Sequence, residues 1–290
     1  MDMLPALFSA FIAPDCDRRQ FIIDFLAAQG IKTSVIHLAA SRHIFVHFPA
    51  SAYSPLFRLK TVVVHYDRAE GSPGANDNSA AIFQVMDWAV RLRNFPGVHN
   101  VRIFFTDGEE LGSSGSVKAQ GAFGLASGFK ALGIINDDVY AFDSCGRGTV
   151  LVLSSAGVKN SGSAVFKSRF DGLYRRTGEL LRAASPENWL TLPVPYSDNA
   201  GFLACGIPAV AITVLPSGEA TQYLRELRED KVLETAALKN AGASPEIKSR
   251  LPETWRLIHS PADCQESLSP ESFPLMARLL DLLAKTKVMV

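Results

Sequence analysis

Several residues that can bind a metal ion or move a proton follow directly on apolar, β-branched runs of this sequence. Three such runs, 61–64, 101–105 and 139–142, lead into polar residues. Those residues are His65 and Asp67, Glu109 and Glu110, and Asp143. Imidazole nitrogens and carboxylate oxygens without a thiolate suit zinc, with cobalt or manganese as substitutes. The pattern therefore indicates metal-assisted or acid–base chemistry.

Each of these residues also has an ordinary structural explanation when it is considered alone. A histidine after a strand is usually hydrogen-bonded inside the core, and a pair of glutamates usually lies on the surface. Asp77 and Asn78 directly precede a predicted helix, where either could be the N-cap. The combination is more informative than any single residue, because buried carboxylates are costly unless they are paired or bound to a metal.

The elements that must position these residues follow from the apolar pattern. The three runs, together with 209–214, lack polar alternation, which is typical of strands buried on both faces of a parallel sheet. A predicted hairpin of strands 31–38 and 43–48 makes the sheet mixed. Apolar residues share one helical face in 79–92, and further helices are predicted over 17–28, 166–183 and 273–283. Strands alternating with helices predict a three-layer αβα fold with a mixed, mostly parallel central sheet. In such folds ligands bind beyond the carboxyl ends of the strands.

Composition excludes several classes of partner. The 290 residues carry 29 basic and 29 acidic side chains, so the basic footprint of a nucleic-acid-binding protein is missing. The four cysteines form no C-x-x-C pair and do not make a disulfide framework in so long a chain. No apolar run has the length of a membrane span, and the N-terminus lacks a basic stretch typical of a signal peptide. We therefore expect a cytoplasmic protein without nucleic-acid or membrane partners.

We expect a single catalytic domain over residues 1–290, because no linker or internal repeat divides the chain. One charged segment, 216–256, follows a predicted strand where a short loop would suffice. It is predicted to be a mostly helical insertion. A solvated surface excursion is the simpler interpretation, and a lid or dimer contact is the alternative. Whether the chain forms a homo-oligomer is left open.

The order and spacing of the polar motifs carry a resemblance to a known family. The motifs are His65-x-Asp67, Gly74-Ala-Asn-Asp77-Asn78, Glu109-Glu110-x-Gly112-x-x-Gly115-Ser116, Asp143 and His259-Ser-Pro-Ala-Asp263. Together they resemble the M28 family of zinc exopeptidases, which are co-catalytic aminopeptidases with a phosphorylase/hydrolase-like α/β fold. The likeness extends from about residue 60 to the C-terminus.

This resemblance implies a ligand for each position of a two-zinc centre. His65 and Asp143 would bind one metal, Glu110 and His259 would bind the other, and Asp77 would bridge the two. A two-metal centre of this kind activates a water and polarises the scissile carbonyl. The implied activity is removal of N-terminal residues from peptides, with other N-aminoacyl compounds as alternative substrates.

Two further acids receive roles from the same resemblance. Glu109 would be the general base, which takes the proton of the water and returns it to the leaving amine. Asp67 would accept a hydrogen bond from the far nitrogen of His65 and so fix its tautomer. One departure from the family is Asn199, which stands where the Ser-Asp-His element usually has histidine. That element flanks the pocket, so Asn199 bears on substrate contacts rather than on the metals.

Two other functions compete with the aminopeptidase. Glutaminyl-peptide cyclotransferases carry strings similar to His65-Tyr66-Asp67 and to 104–110, but they use a single zinc and cyclise rather than hydrolyse. Asp198 has no adjacent second acid, which weakens this alternative. A binding protein on a peptidase fold is the other, and the complete ligand set argues against it. A serine hydrolase is not indicated, because 112–116 has the wrong spacing for a nucleophile elbow.

Overall fold

A computed structural model describes residues 4–110, 116–159, 162–230, 233–235, 237 and 245–290. Within these residues the eight strands of one sheet are β1 (Thr33–Leu38), β2 (Ser41–Val46), β3 (Lys60–His65), β4 (Val101–Thr106), β5 (Asp138–Phe142), β6 (Val150–Ser154), β7 (Trp189–Leu192) and β8 (Ala209–Leu215). Their spatial order is β1-β2-β4-β3-β5-β8-β6-β7.

The centre of the sheet is parallel and its margins contain antiparallel pairs. β4, β3, β5 and β8 are parallel neighbours. β2 pairs antiparallel with both β1 and β4, and β6 pairs antiparallel with β8. The predicted mixed, mostly parallel sheet is therefore confirmed. The pattern did not predict β6 and β7, the latter a four-residue edge strand.

Helices cover both faces of the sheet. The longer described helices are α1 (Leu4–Ile12), α2 (Arg18–Ala28), α3 (Ala81–Arg93), α4 (Gly121–Ala131), α5 (Ala164–Ala184), α6 (Asn199–Ala204), α7 (Ser217–Glu229), α8 (Pro245–Ser249), α9 (Glu253–Leu257) and α10 (Ser272–Lys285). Val62 and Val64 point into a core shared with α1, α2, α3, α5 and α10. Val63, between them, points into a second core with α4 and α6. This alternation confirms the three-layer αβα fold.

The start of β3 is tied to the end of α10 by a buried lysine. Lys60 is 2% exposed, and its ammonium group donates hydrogen bonds to the carbonyls of Leu283, Ala284 and Thr286. These carbonyls lie at the helix C-terminus, where backbone acceptors lack helical partners and a positive charge is favourable. Burial lowers the pKa of Lys60 to about 7.

The charged segment predicted as an insertion contains α7, α8 and α9. Residues 231, 232, 236 and 238–244 lie outside the described part of the chain. No described helix has the length and apolar character needed to cross a membrane. All four cysteines are free thiols.

Candidate metal centre

The predicted residues converge because the central strands end side by side. His65 is the last residue of β3 and is in register with Thr106, the last residue of β4. Asp143 directly follows β5, which pairs with β3 on its other side. The loop after β4 carries Glu109 and Glu110 to the same sheet edge. Three neighbouring parallel strands thus deliver one imidazole and three carboxylates to one place.

Two candidate ligands come from loops outside the sheet. Asp77 lies in the turn Ala75–Ala80 that leads into α3, and His259 follows α9. The peptide bond between Asp77 and Asn78 is cis, and the Asn78 side chain donates a hydrogen bond to the carbonyl of Phe142 at 2.8 Å. The turn is therefore anchored to the end of β5, beside Asp143.

Asp77 stands between two groups of candidate ligands. Its Oδ1 lies 3.2 Å from Nε2 of His65, which lies 3.7 Å from Oδ2 of Asp143. Its Oδ2 lies 3.1 Å from Nε2 of His259, which lies 3.1 Å from Oε2 of Glu110. In each group the three ligand atoms lie within 4.8 Å of one another. One carboxylate therefore offers a separate oxygen to each group.

The contacts in this cluster fit a bound cation better than a hydrogen-bond network. Both ring nitrogens of His65 and one carboxylate oxygen of Glu110 are buried without a hydrogen-bond partner. Such orphaned atoms are uncommon in folded proteins. Here they face other nitrogen and oxygen ligands across a shared space. Two imidazoles and several carboxylates without a thiolate form a donor set suited to zinc.

The side chains of this cluster shift one another's pKa values strongly. Hydrogen bonds with Asp77 and Glu110 raise the pKa of His259 to about 11. Burial raises the pKa of Glu110 to about 7, against the opposing effect of His259. Burial alone would raise the pKa of Asp77, but His259 and His65 outweigh it and hold that pKa well below its usual range. Without a metal, protons on the imidazoles therefore compensate the clustered carboxylates.

Asp67 lies on the far side of His65. Its Oδ1 is 3.6 Å from Nδ1 of His65, and its Oδ2 accepts a hydrogen bond from the backbone N–H of Glu110 at 2.8 Å. Asp67 is therefore near the far imidazole nitrogen, as predicted, but the predicted hydrogen bond between them is not formed at this distance. The contact with Glu110 was not predicted, and it connects one ligand of each group through a single carboxylate.

Glu109 points into the cleft that Asp77, Asp143 and His259 also line. Its Oε1 accepts a hydrogen bond from the side chain of Gln120 at 3.3 Å. Burial raises the pKa of Glu109 well above its usual value, and the neighbouring carboxylates add to the effect. Glu109 also forms a third close group with His65 and Glu110. A partly buried carboxylate with a raised pKa beside the candidate ligands is suited to accept and return a proton.

The rest of the cleft wall is mostly apolar. It is lined by Val194, Pro195, Tyr196, Ala211, Ile212, Trp255 and Ile258. Trp255 packs edge-on against Tyr223 of α7, with ring centroids 5.2 Å apart. The hydroxyl of Tyr223 donates a hydrogen bond to the carbonyl of Pro193 at 3.0 Å. Helices α7 and α9 of the charged segment thus help to build this wall.

The Ser-Asp-Asn element begins at the cleft and continues into the core. Asn199 is fully buried, and its Oδ1 accepts a hydrogen bond from the backbone N–H of Ser197. Asp198 accepts a hydrogen bond from the hydroxyl of Thr106, and burial raises the pKa of Asp198 to about 6. Ser197 lines the cleft, whereas Asn199 is not among the residues that line it. Gly112 and Gly115 of the predicted motif lie outside the described residues.

Two buried residues support the centre without any predicted role. Arg18 of α2 donates hydrogen bonds to the carbonyls of Tyr66 and Pro73 and to the hydroxyl of Ser79. It thereby holds the stretch between His65 and α3. Asp263 accepts hydrogen bonds from the turn that carries Asp77. The sequence shows Asp263 as part of a motif but offers no local signal for either contact.

The sequence model of peptidase family M28 matches residues 58–283. The chain belongs to this family. The match covers β3 to α10 and therefore every residue of the cluster described above.

A curated relative agrees with this assignment. The probable lipoprotein aminopeptidase LpqL of Mycobacterium tuberculosis is 30% identical over 156 residues, which are 50% of this chain and 29% of that protein. The match thus spans less than a third of the curated relative.

Solved structures share the fold at low sequence identity. The LapA aminopeptidase of Legionella pneumophila has a TM-score of 0.60 at 14% identity, covering 98% of this chain and 68% of that chain. A zinc aminopeptidase of Bacillus subtilis, BSAP, has a TM-score of 0.53 at 15% identity, and the match covers 83% of this chain and 49% of that chain. A glutaminyl cyclase of Tannerella forsythia has a TM-score of 0.61 at 14% identity, and the match covers 99% of this chain and 98% of that chain.

Proposed function

We propose that this protein is an aminopeptidase with two zinc ions per chain. The observation that supports it best is the position of Asp77, whose two oxygens face two separate groups of ligands. A single-metal site would need only one of these groups. Membership of a peptidase family and the likeness to proteins described as aminopeptidases support the same proposal.

In this proposal His65 and Asp143 would hold one zinc, Glu110 and His259 would hold the other, and Asp77 would contribute one oxygen to each site. When bound, the metals act as Lewis acids and lower the pKa of a coordinated water. Asp67 orients His65 by contact with its far nitrogen.

Glu109 performs the proton transfer in the proposed reaction. It takes a proton from the attacking water and delivers it to the leaving amine of the substrate. Burial raises the pKa of Glu109, which makes its carboxylate a stronger base than an exposed glutamate. The hydrogen bond from Gln120 orients the carboxyl group without neutralising it.

The cleft wall limits the class of substrate. Val194, Trp255 and Ile258 line the same cleft as Asp77, Asp143 and His259. An apolar N-terminal side chain would bury surface there, at about 25 cal/mol per Å². We therefore propose peptides or N-aminoacyl compounds with an apolar first residue as substrates. The cytoplasmic location stays a prediction, and the curated relative is described as a lipoprotein.

A glutaminyl cyclase is the second candidate. It is favoured by the cyclase of Tannerella forsythia, which matches this chain over nearly the full length of both. The two functions differ in product and in metal count. Incubation of the zinc-loaded protein with leucine p-nitroanilide and, separately, with a peptide bearing N-terminal glutamine distinguishes them. We expect release of p-nitroaniline and removal of the first residue from peptides. Loss of ammonia from the glutamine peptide without hydrolysis of leucine p-nitroanilide would refute the proposal in favour of the cyclase.

A further inference from the structure

The loop that carries His259 also holds the turn that carries Asp77. Oδ1 of Asp263 accepts a hydrogen bond from the backbone N–H of Asn76 at 2.7 Å, and its Oδ2 accepts one from the N–H of Asp77 at 3.0 Å. Its carbonyl oxygen accepts a third from the N–H of Ala75 at 3.1 Å. Three consecutive amides of one loop are thus bound by one residue of another.

The turn bound in this way is connected to the remaining ligands as well. The side-chain oxygen of Asn76 accepts a hydrogen bond from the N–H of Gly146 at 2.7 Å, in the segment that begins with Asp143. Loops that are far apart in sequence therefore meet at 75–78. Asp263 supplies the connection to the His259 loop, over a separation of nearly two hundred residues.

Asp263 is unusual in its surroundings. It is 1% exposed, and among the described residues its carboxylate has no ion pair with a cationic side chain. Burial of an unpaired carboxylate is costly, and here two backbone N–H groups compensate it. A carboxylate has two acceptor oxygens and can therefore accept both N–H groups, which the neutral amide of asparagine cannot.

We infer that Asp263 is a positioning residue that fixes the spacing between the bridging carboxylate of Asp77 and the imidazole of His259. This inference rests on the proposed two-zinc centre. His259 has a left-handed backbone conformation, with φ of 59°, and its turn is closed by a hydrogen bond from the Ser260 hydroxyl to Leu257. The rigid turn and the Asp263 clamp together set the position of Nε2 of His259, 3.1 Å from Asp77.

The test is zinc affinity in Asp263→Asn, measured by competition with a chromophoric chelator. Asparagine keeps one acceptor oxygen and turns an NH₂ group toward a backbone donor, so one hydrogen bond is replaced by a repulsive contact. Loss of such supporting contacts lowers metal affinity about 10- to 100-fold. We expect that loss at the site of Glu110 and His259, with a smaller effect at the other site.

A matched control is Asp137→Asn. Asp137 is also buried, at 5% exposure, and accepts hydrogen bonds from Thr61 and Arg102. It precedes β5, at the end of the sheet opposite the metal cluster. We expect Asp137→Asn to keep wild-type zinc affinity, even if it lowers the melting temperature of the metal-free protein.

If Asp263→Asn fails to fold, Asp263→Glu serves in its place, because it keeps the charge but displaces both oxygens by one methylene. Wild-type zinc affinity in a folded Asp263 variant would overturn the inference. So would an equal loss in Asp137→Asn, since that would indicate general destabilisation. Failure of the wild-type protein itself to bind zinc would instead overturn the proposed function on which the inference rests.

Discussion

Glutamate-to-glutamine substitutions at two adjacent positions can show which of the two residues is the general base and which is a metal ligand. Glu109 and Glu110 are neighbours in sequence, and both lie within ligand distance of His65. Only Glu110 also approaches His259, at 3.1 Å. Glu109 has one described side-chain hydrogen bond, from Gln120, and the carbonyl oxygen of a glutamine could still accept it.

The substitution Glu109→Gln should therefore leave the fold and the zinc content unchanged while it removes the base. General-base catalysis contributes about 10²- to 10⁴-fold, so kcat should fall by about that factor, equivalent to about 3–5 kcal/mol of transition-state stabilisation. KM should change little, because the variant keeps the cleft wall. The substitution Glu110→Gln should instead weaken zinc binding at the site that it shares with His259.

The assay is hydrolysis of an apolar aminoacyl p-nitroanilide, with zinc measured on the same samples by elemental analysis. The reasoning is refuted if Glu109→Gln keeps nearly full turnover, because another group would then be the base. It is refuted equally if Glu109→Gln loses a zinc ion while Glu110→Gln keeps both, because the two roles would then be exchanged.

Three further predictions concern stability and specificity. Lys60→Met should lower the free energy of unfolding by about 3 kcal/mol in urea titrations, because it leaves the end of α10 without its donor; an unchanged midpoint would contradict this. The raised pKa of His259 should make the metal-free protein lose its stability advantage over a metal-free His259→Ala variant as pH rises from about 6.5 toward about 11, and this comparison cancels the opposite pH dependence of Lys60; an equal difference in urea midpoints at pH 6.5 and 9.5 would contradict this. Trp255→Ala should raise kcat/KM for substrates with a large first residue relative to those with a small one, because it removes a large side chain from the cleft wall. An unchanged order of substrates in a panel would contradict the place of Trp255 in that wall.

The sequence predicted the central strands because burial on both faces leaves a plain pattern. The run 61–64 has no polar alternation, and the structure places it in β3, fully buried between two layers of helices. The fold class followed from such runs and from the helices between them. β7 left no comparable pattern, because it has four residues and lies half-exposed at the sheet edge.

The same contrast holds for the candidate site. His65, Glu110 and Asp143 could be placed together because each follows a strand, and parallel neighbours end at one edge. The contact of Asp263 with Asp77, and that of Arg18 with the carbonyls after β3, depend on which distant loops meet. No local periodicity encodes such a meeting, so these supports became visible only in the folded chain.

The central claim is that two metals share Asp77, and the number of zinc ions per chain tests it most directly. Protein purified without added metal, reconstituted with zinc and freed of excess would be measured by elemental analysis. The account predicts two zinc ions per chain. A single zinc per chain, unchanged at higher zinc concentration, would contradict it and favour the cyclase.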